Sequence, residues 1–255
     1  MSEAVVQQAG QTAFKQMSGL ARLAMDAHGG LERWRQLSSV SAHLLGGGAL
    51  WGLKGKDGVL NDVRLRVDLH REWASYWPFT APNLRTSSEP HRVAIETTEG
   101  KVVEERLHPR ESSKGHTLET RWDNLQLAYF SGYAIWNYLN TPFLFALPGV
   151  ETEEIQPWQE NGEAWRRLRV TFPTSIATHS AEQIFYFDQK GLLNRHDYDV
   201  DILGGISAAH YVPELKTFSG IAVPTKHRIF GRQPDGKAVP TPVVVSIDLS
   251  EVEFS

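Results

Sequence analysis

Three short segments between Thr178 and Tyr211 concentrate the side chains best suited to acid–base or metal chemistry: His179, His196, Asp197, Asp199, Asp201 and His210. From Leu192 to Ile202 the even positions carry Leu, Asn, His196, Tyr198, Val and Ile, and the odd positions Leu, Arg195, Asp197, Asp199 and Asp201. Read as a strand, this sets His196 on the more apolar face and a ladder of carboxylates on the other. If Gly204-Gly205 is a two-residue hairpin loop, Leu203 pairs with Ile206 and Asp199 falls opposite His210. A carboxylate there would raise the imidazole pKa and fix its tautomer, making His210 a general base, or a metal ligand with Asp199 behind it. A slip of one residue would put the two on opposite faces. The plainer reading makes the aspartates a wetted strand face and His196 a hydrogen-bonded core residue.

A second constellation is aromatic. Trp122, Tyr129, Phe130, Tyr133, Trp136, Tyr138, Phe143 and Phe145 crowd one segment, and Trp73, Tyr76, Trp77 and Phe79 another. Rings of this size fill cores. They also wall apolar pockets, because a strongly curved sheet leaves a hollow that side chains or a ligand must occupy. Arg85, Arg110 and Arg121 lie in the intervening loops as candidate clamps for an anionic head group.

The elements that must position these residues are mostly strands. From Val59 to His70 apolar residues alternate with Asp62, Arg64, Arg66 and Asp68, the pattern of an antiparallel sheet wet on one side. Similar segments lie at 92–97, 101–107, 166–172, 182–188, 192–202, 206–212, 225–230 and 243–249, with the period of two beginning at Ser39. Asp188-Gln189-Lys190-Gly191 and Pro234-Asp235-Gly236 read as turns. Helix is expected at 11–27, where Phe14, Met17, Leu20, Ala21 and Ala24 recur at three and four, with His28-Gly29-Gly30 as the stop and a short second turn to Leu37. Residues 122–146 lack strand alternation and read as an inserted helical cap whose helix ends before Thr141-Pro142. The stretch 107–119 reads as a surface loop or lid. With no linker or repeat, the 255 residues are expected to form one domain.

Composition excludes several chemistries. The absence of cysteine removes disulfides, thiolate nucleophiles and Cys-based metal sites, and a net charge of −4 offers no basic footprint for nucleic acid. P-loop, dinucleotide, zincin and nucleophile-elbow motifs are missing; Gly46-Gly47-Gly48 lacks their spacing. The first twenty residues lack a basic start followed by an apolar block, so a cytoplasmic protein is expected, without integral membrane association.

The order of elements, Tyr186-Phe187-Asp188 with Gly191-Leu192-Leu193, and Gly220-Ile221-Ala222-Val223-Pro224 resemble the lipoprotein-carrier (LolA-type) superfamily. The chain also resembles a group of bacterial proteins sharing its HGG, GYAxWNYL and RHDYDV stretches. The first resemblance implies an incomplete β-barrel closed by helices around a hydrophobic cavity, and no catalytic residues. The expectation is therefore a mainly β (α+β) fold with a strongly curved antiparallel sheet. The expected function is binding of a hydrophobic or aromatic small molecule, without cofactor or metal, by Trp122, Tyr129, Phe130, Tyr133, Trp136, Phe143, Trp77 and His179. The alternative is a cofactor-independent cyclase, isomerase or hydrolase using His210, Asp199 and His196.

Overall fold

Val63, Leu65 and Val67 are buried while Arg64 and Arg66 are exposed, and that alternation makes β2 (Val63–Asp68) a strand with one face on a core. The computed structural model describes residues 17–255. The other strands are β1 (Ser39–Gly47), β3 (Ala74–Trp77), β4 (Leu84–Glu89), β5 (Arg92–Thr97), β6 (Val102–Leu107), β7 (Glu151–Glu160), β8 (Glu163–Thr171), β9 (Glu182–Phe187), β10 (Leu193–Val200), β11 (Ile206–Phe218), β12 (Ile221–Gly231) and β13 (Val245–Phe254). All thirteen form one antiparallel sheet in the order β6-β5-β4-β3-β2-β1-β13-β12-β11-β10-β9-β8-β7, which is not closed into a barrel. Every pair except β1–β13 joins neighbours in sequence.

Among the described residues four α-helices accompany the sheet: α1 (Gly19–Ala27), α2 (Leu31–Arg35), α3 (Ala49–Lys54) and α4 (Asn124–Asn140). The start of α4 is written in Asp123 and Gln126. The Asp123 carboxylate accepts from the Gln126 amide at 2.8 Å, and the Gln126 side chain accepts from the Asp123 amide at 3.0 Å. Its end is written in Pro142, which pushes Thr141 to an extended conformation. Between these limits every residue but Asn124 is buried.

One helix buried on all sides dictates the shape of the sheet. The Tyr76 hydroxyl on β3 donates to the Ser131 carbonyl of α4 at 3.1 Å, while Tyr138 on the same helix meets His196 of β10, ring centroids 6.4 Å apart. Those strands are six places apart in the sheet, roughly 29 Å if it were flat at ~4.8 Å per strand. A helix is only about 10–12 Å across. The sheet therefore curls around α4. Against β4 the approach is so close that a Cβ on Gly132 would collide with the Ser88 side chain.

The expected helix at 11–27 is seen from Gly19, capped by the Ser18 hydroxyl; Phe14 lies outside the described residues. The His28-Gly29-Gly30 stop is present, and Gly29 (φ 116°) packs against the Gly220 carbonyl, leaving no room for a side chain. Both expected turns form, with Gly191 and Gly236 at positive φ. The strands β3, β4 and β7 and the helix α3 were not anticipated; α3 begins at Ala49, directly after Gly46 and Gly47 close β1 and Gly48 caps the helix.

The register after β10 differs from expectation. Val200 pairs with Ile206, and Asp201 to Gly205 form a five-residue connection that includes a 3-10 turn. Asp199 therefore lies opposite Ser207, and His210 lies opposite His196. The offset is three residues, an odd number, so Asp199 and His210 project to opposite faces.

A Gly132→Val substitution should force α4 away from Ser88 and lower stability by about 1–3 kcal/mol. The check is the urea unfolding midpoint; an unchanged midpoint would mean the helix is not seated this closely.

Candidate functional site

The inner face of β10–β12 carries three buried histidines. His196 stacks on Phe185 at 3.9 Å and its Nε2 lies 2.5 Å from the Gln183 side-chain oxygen. The Gln183 amide nitrogen donates to Ser180 O and Thr178 Oγ1, so that oxygen accepts and His196 Nε2 carries the proton. His227 Nε2 lies 3.1 Å from the Pro224 carbonyl, and its Nδ1 is 2.8 Å from His210 Nε2. A carbonyl can only accept, so both Nε2 atoms donate and His210 Nδ1 is left a bare acceptor, buried without a partner.

A fourth histidine comes from the β8–β9 loop. Asn137 of α4 donates to the Ala177 carbonyl at 2.9 Å, Glu72 accepts from the Ala177 amide at 3.0 Å, and Arg110 donates to the Thr178 carbonyl at 2.8 Å. Held in this way, the His179 ring lies flat on Tyr198, centroids 4.1 Å apart. Its Nδ1 is 3.2 Å from the Tyr133 hydroxyl and its Nε2 is 2.9 Å from that of Tyr138, which is 2.8 Å from the Tyr198 hydroxyl. One strand, one loop and one helix thus contribute to a continuous buried hydrogen-bonded chain, Tyr133–His179–Tyr138–Tyr198.

Burial sets the protonation of these groups. Desolvation lowers His179 to about 3 and His227 to about 4, and drives His196 and His210 well below the ordinary histidine value. Neighbouring histidines add to the shift at His196 and His210, Arg110 adds to it at His179, and no carboxylate hydrogen-bonds to any of the four. Tyr133 and Tyr198 are pushed well above 10 by the same burial. All are neutral at pH 7. A general base works best with a pKa near the operating pH, and none of these imidazoles is close to it.

Beside this chain lies an apolar slot between α4 and the strands β1 and β10–β13, with Leu50 and Trp51 of α3 and Leu118 at its side. It holds about 780 Å³ of unfilled space, its mouth included, yet the centre of a water-sized sphere can move through only about 80 Å³. It is therefore narrow. Phe130, Ala134, Ile135 and Tyr138 form the helix side; Leu44, Val200, Ala208, Ile229 and Ile247 are on the sheet side; His179 and Tyr198 are the polar end. No Lys, Arg, Asp or Glu lines it. A second recess, open to solvent and carrying charged and polar side chains, lies beside the β8–β9 loop among His91, His108, Arg110, Tyr129 and Asp201. Among the described residues, no three His, Asp or Glu side chains are grouped so as to hold a metal ion, and no helix is long and apolar enough to cross a membrane.

Of the residues singled out from sequence, Phe130 and His179 line the slot and Tyr133 braces His179. Tyr129 faces the polar recess. Trp122 packs on Phe130, 4.9 Å between centroids; Phe143 stacks on Trp34; the Trp136 indole donates to the Asp68 and Arg71 carbonyls. Trp77 lies away from the slot, in a shallow recess with Arg66 and Arg85. None of the three arginines expected in loops lines the slot, and Arg85 lies in β4. Arg85 pairs with Glu96, Arg110 with Asp201, and Arg121 packs over Gly55.

The proposed Asp199–His210 pair does not form. Asp199 accepts from Ser207 at 2.6 Å and from Arg232 at 3.0 Å on the outer face. Nor is the carboxylate ladder simply wet. Asp197 is buried with Arg195, whose guanidinium grips it in a bidentate pair at 2.6 and 2.8 Å and also bonds Glu160, Tyr211 and the Gly236 carbonyl. His227, Tyr198 and Trp51 were missed as site residues. The alternation Thr225-His227-Ile229 against Lys226-Arg228 carried the signal for His227.

The chain shares its fold with a DUF1329 family protein from Desulfovibrio piger, at 12% identity over 94% of this chain and 93% of that one, with a TM-score of 0.55. A LolA superfamily protein from Nitrosomonas europaea aligns at 10% identity over 91% and 93% of the two chains, TM-score 0.47. A third, from Vibrio parahaemolyticus, is provisionally described as an outer membrane lipoprotein-sorting domain and aligns at 11% identity over 90% and 93%, TM-score 0.39. The fold is the LolA type. No protein-family model and no curated protein matches the sequence. The expectation of a cytoplasmic protein is overturned by the third of these neighbours, whose description places it with outer membrane lipoprotein sorting.

Four neutral buried histidines make the fold sensitive to acid. Unfolded, each titrates near 6.5; folded, each stays neutral far below that, so stability is complete above pH 6.5 and falls as protons bind the unfolded chain. The loss is about 1 kcal/mol per histidine for each pH unit, on the order of 4–6 kcal/mol at pH 5.5. Glu72 acts in the opposite sense. Burial raises it to about 8, so its contribution is present below pH 4.5 and lost as pH rises through 8. Urea unfolding at pH 7.5, 6.5 and 5.5 should show a steep net fall; a flat profile would mean the histidines are solvated.

Proposed function

We propose that the protein binds an elongated apolar small molecule in the slot between α4 and the strands β1 and β10–β13. The observation that carries this reading is a narrow slot, with only about 80 Å³ open to the centre of a water-sized sphere, lined by aliphatic and aromatic side chains and by no ionisable carboxylate, ammonium or guanidinium group. Native interiors are close-packed, so even a narrow apolar void is a cost unless something fills it. The resemblance of the sequence to LolA-type carriers implies a hydrophobic cavity, which is in keeping with an apolar ligand.

The driving force is removal of apolar surface from water, worth ~0.8 kcal/mol for each methylene buried. Acid–base catalysis is the weaker reading, because Asp199 faces away from His210 and His179 has been driven to about 3.

Displacement of a neutral apolar dye by a homologous series of straight-chain methyl ketones tests the reading. Affinity should climb about fourfold per added methylene, the equivalent of ~0.8 kcal/mol, and then level off when the slot is full. Ala134→Phe, which builds a ring into the helix wall, should bring the plateau to shorter chains and weaken the longest ligands at least tenfold. No dependence on chain length, in the native protein, would sink the proposal.

A further inference from the structure

We propose that the ligand of this slot is uncharged and carries one hydrogen-bond acceptor, such as an ester, ketone or hydroxyl oxygen, placed against Tyr198; this rests on the slot being the binding site. The argument comes from counting protons. Tyr133, His179, Tyr138 and Tyr198 are joined by three hydrogen bonds, at 3.2, 2.9 and 2.8 Å. The four neutral groups hold four protons between them, one per hydroxyl and one on the imidazole. Three bonds use three protons, so one is always left over.

Only two ordered arrangements satisfy all three bonds. In the first, Tyr198 donates to Tyr138, Tyr138 to His179 Nε2, and His179 Nδ1 to Tyr133, which strands the Tyr133 proton. In the second every donor reverses, and the stranded proton is that of Tyr198. A buried hydroxyl proton without an acceptor costs about 1–3 kcal/mol. The Tyr133 end closes on the protein interior. Tyr198 belongs to the slot wall. A ligand oxygen beside Tyr198 therefore takes up the spare proton and lets the chain settle in its second arrangement.

A carboxylate would accept that proton too, but it would enter a slot with no cation to neutralise it. The two nearby buried or half-buried cations are engaged elsewhere. Lys54 donates to the Thr117 and Thr120 carbonyls at 2.9 and 3.1 Å and lies over Trp122. Arg110 holds the Thr178 carbonyl and the Asp201 carboxylate, both at 2.8 Å. An unpaired buried anion is strongly disfavoured, whereas a neutral oxygen bears no such penalty.

The experiment compares methyl laurate, laurate and dodecane as displacers of Nile red at pH 7.5, with the quenching of intrinsic tryptophan fluorescence as an independent signal, since Trp51 lines the slot. The native protein should prefer the ester to the carboxylate by at least tenfold, and to the alkane by about five- to twentyfold. Tyr198→Phe, with its fold confirmed by an unchanged urea midpoint within error of a surface control, should erase the preference over the alkane and leave laurate weak. Laurate equal to or tighter than its ester overturns the inference while the slot remains the binding site. An ester preference that survives Tyr198→Phe also overturns it, since the acceptor then lies elsewhere. If none of the three displaces the dye, the slot is not the site and the functional reading fails with it.

Discussion

The rest of this molecule depends on the need to bury a single helix from every side. A helix that is apolar all round has no solvent face to present, and α4 leaves only Asn124 outside the interior. A sheet broad enough to enclose it must run to many strands and must curl. The helix is seated tightly on one half of that sheet, where Gly132 meets Ser88 of β4 and Tyr76 of β3 bonds the Ser131 carbonyl. On the other half it is held off by the slot. Tight packing on one side and a void on the other are two results of one geometry, because a rigid cylinder cannot touch all of a curled sheet equally.

The same enclosure explains the polar interior. Tyr133, Asn137 and Tyr138 project from a helix that has no exposed face, so their polar atoms must find partners indoors. They do so by recruiting His179, the Ala177 carbonyl and Tyr198. Imidazoles suit this duty because, kept neutral, they both donate and accept. What looks in the sequence like a reactive cluster is thus a set of uncharged connectors, and the charged groups Arg195 and Asp197 are segregated to the opposite face of the same strand.

That segregation also shows what the sequence conceals. Alternation is plain in β2, whose outer face is wet, and the Asp123–Gln126 box and Pro142 announce α4 at both ends. In β10 both faces are covered, since Arg195 is itself fully buried, and alternation no longer tells inside from outside. β7 is an edge strand exposed along most of its length, so it carries no apolar rhythm to detect. The misplaced partner of His210 traces to one connection. Two glycines invite a two-residue turn, and nothing local says that Asp201, Ile202 and Leu203 join them in a longer one. The slot itself was legible only as an excess of rings, because which rings meet it depends on the curl of the whole sheet.

The pairing of β1 with β13 has a consequence for the order in which the molecule is assembled. Every other strand pair is a local hairpin or meander step, so β1–β6 and β7–β13 can each form from their own stretch of chain. Only this one pair, in which Val40 meets Phe254, ties the two sheets into one. Until it forms, α4 has a bed on one side and nothing on the other, and the walls of the slot are apart. Long-range pairing of this kind slows folding and leaves apolar surface uncovered meanwhile. The walls of the slot thus meet only where this pair has formed, and a ligand that touches both walls would favour its formation.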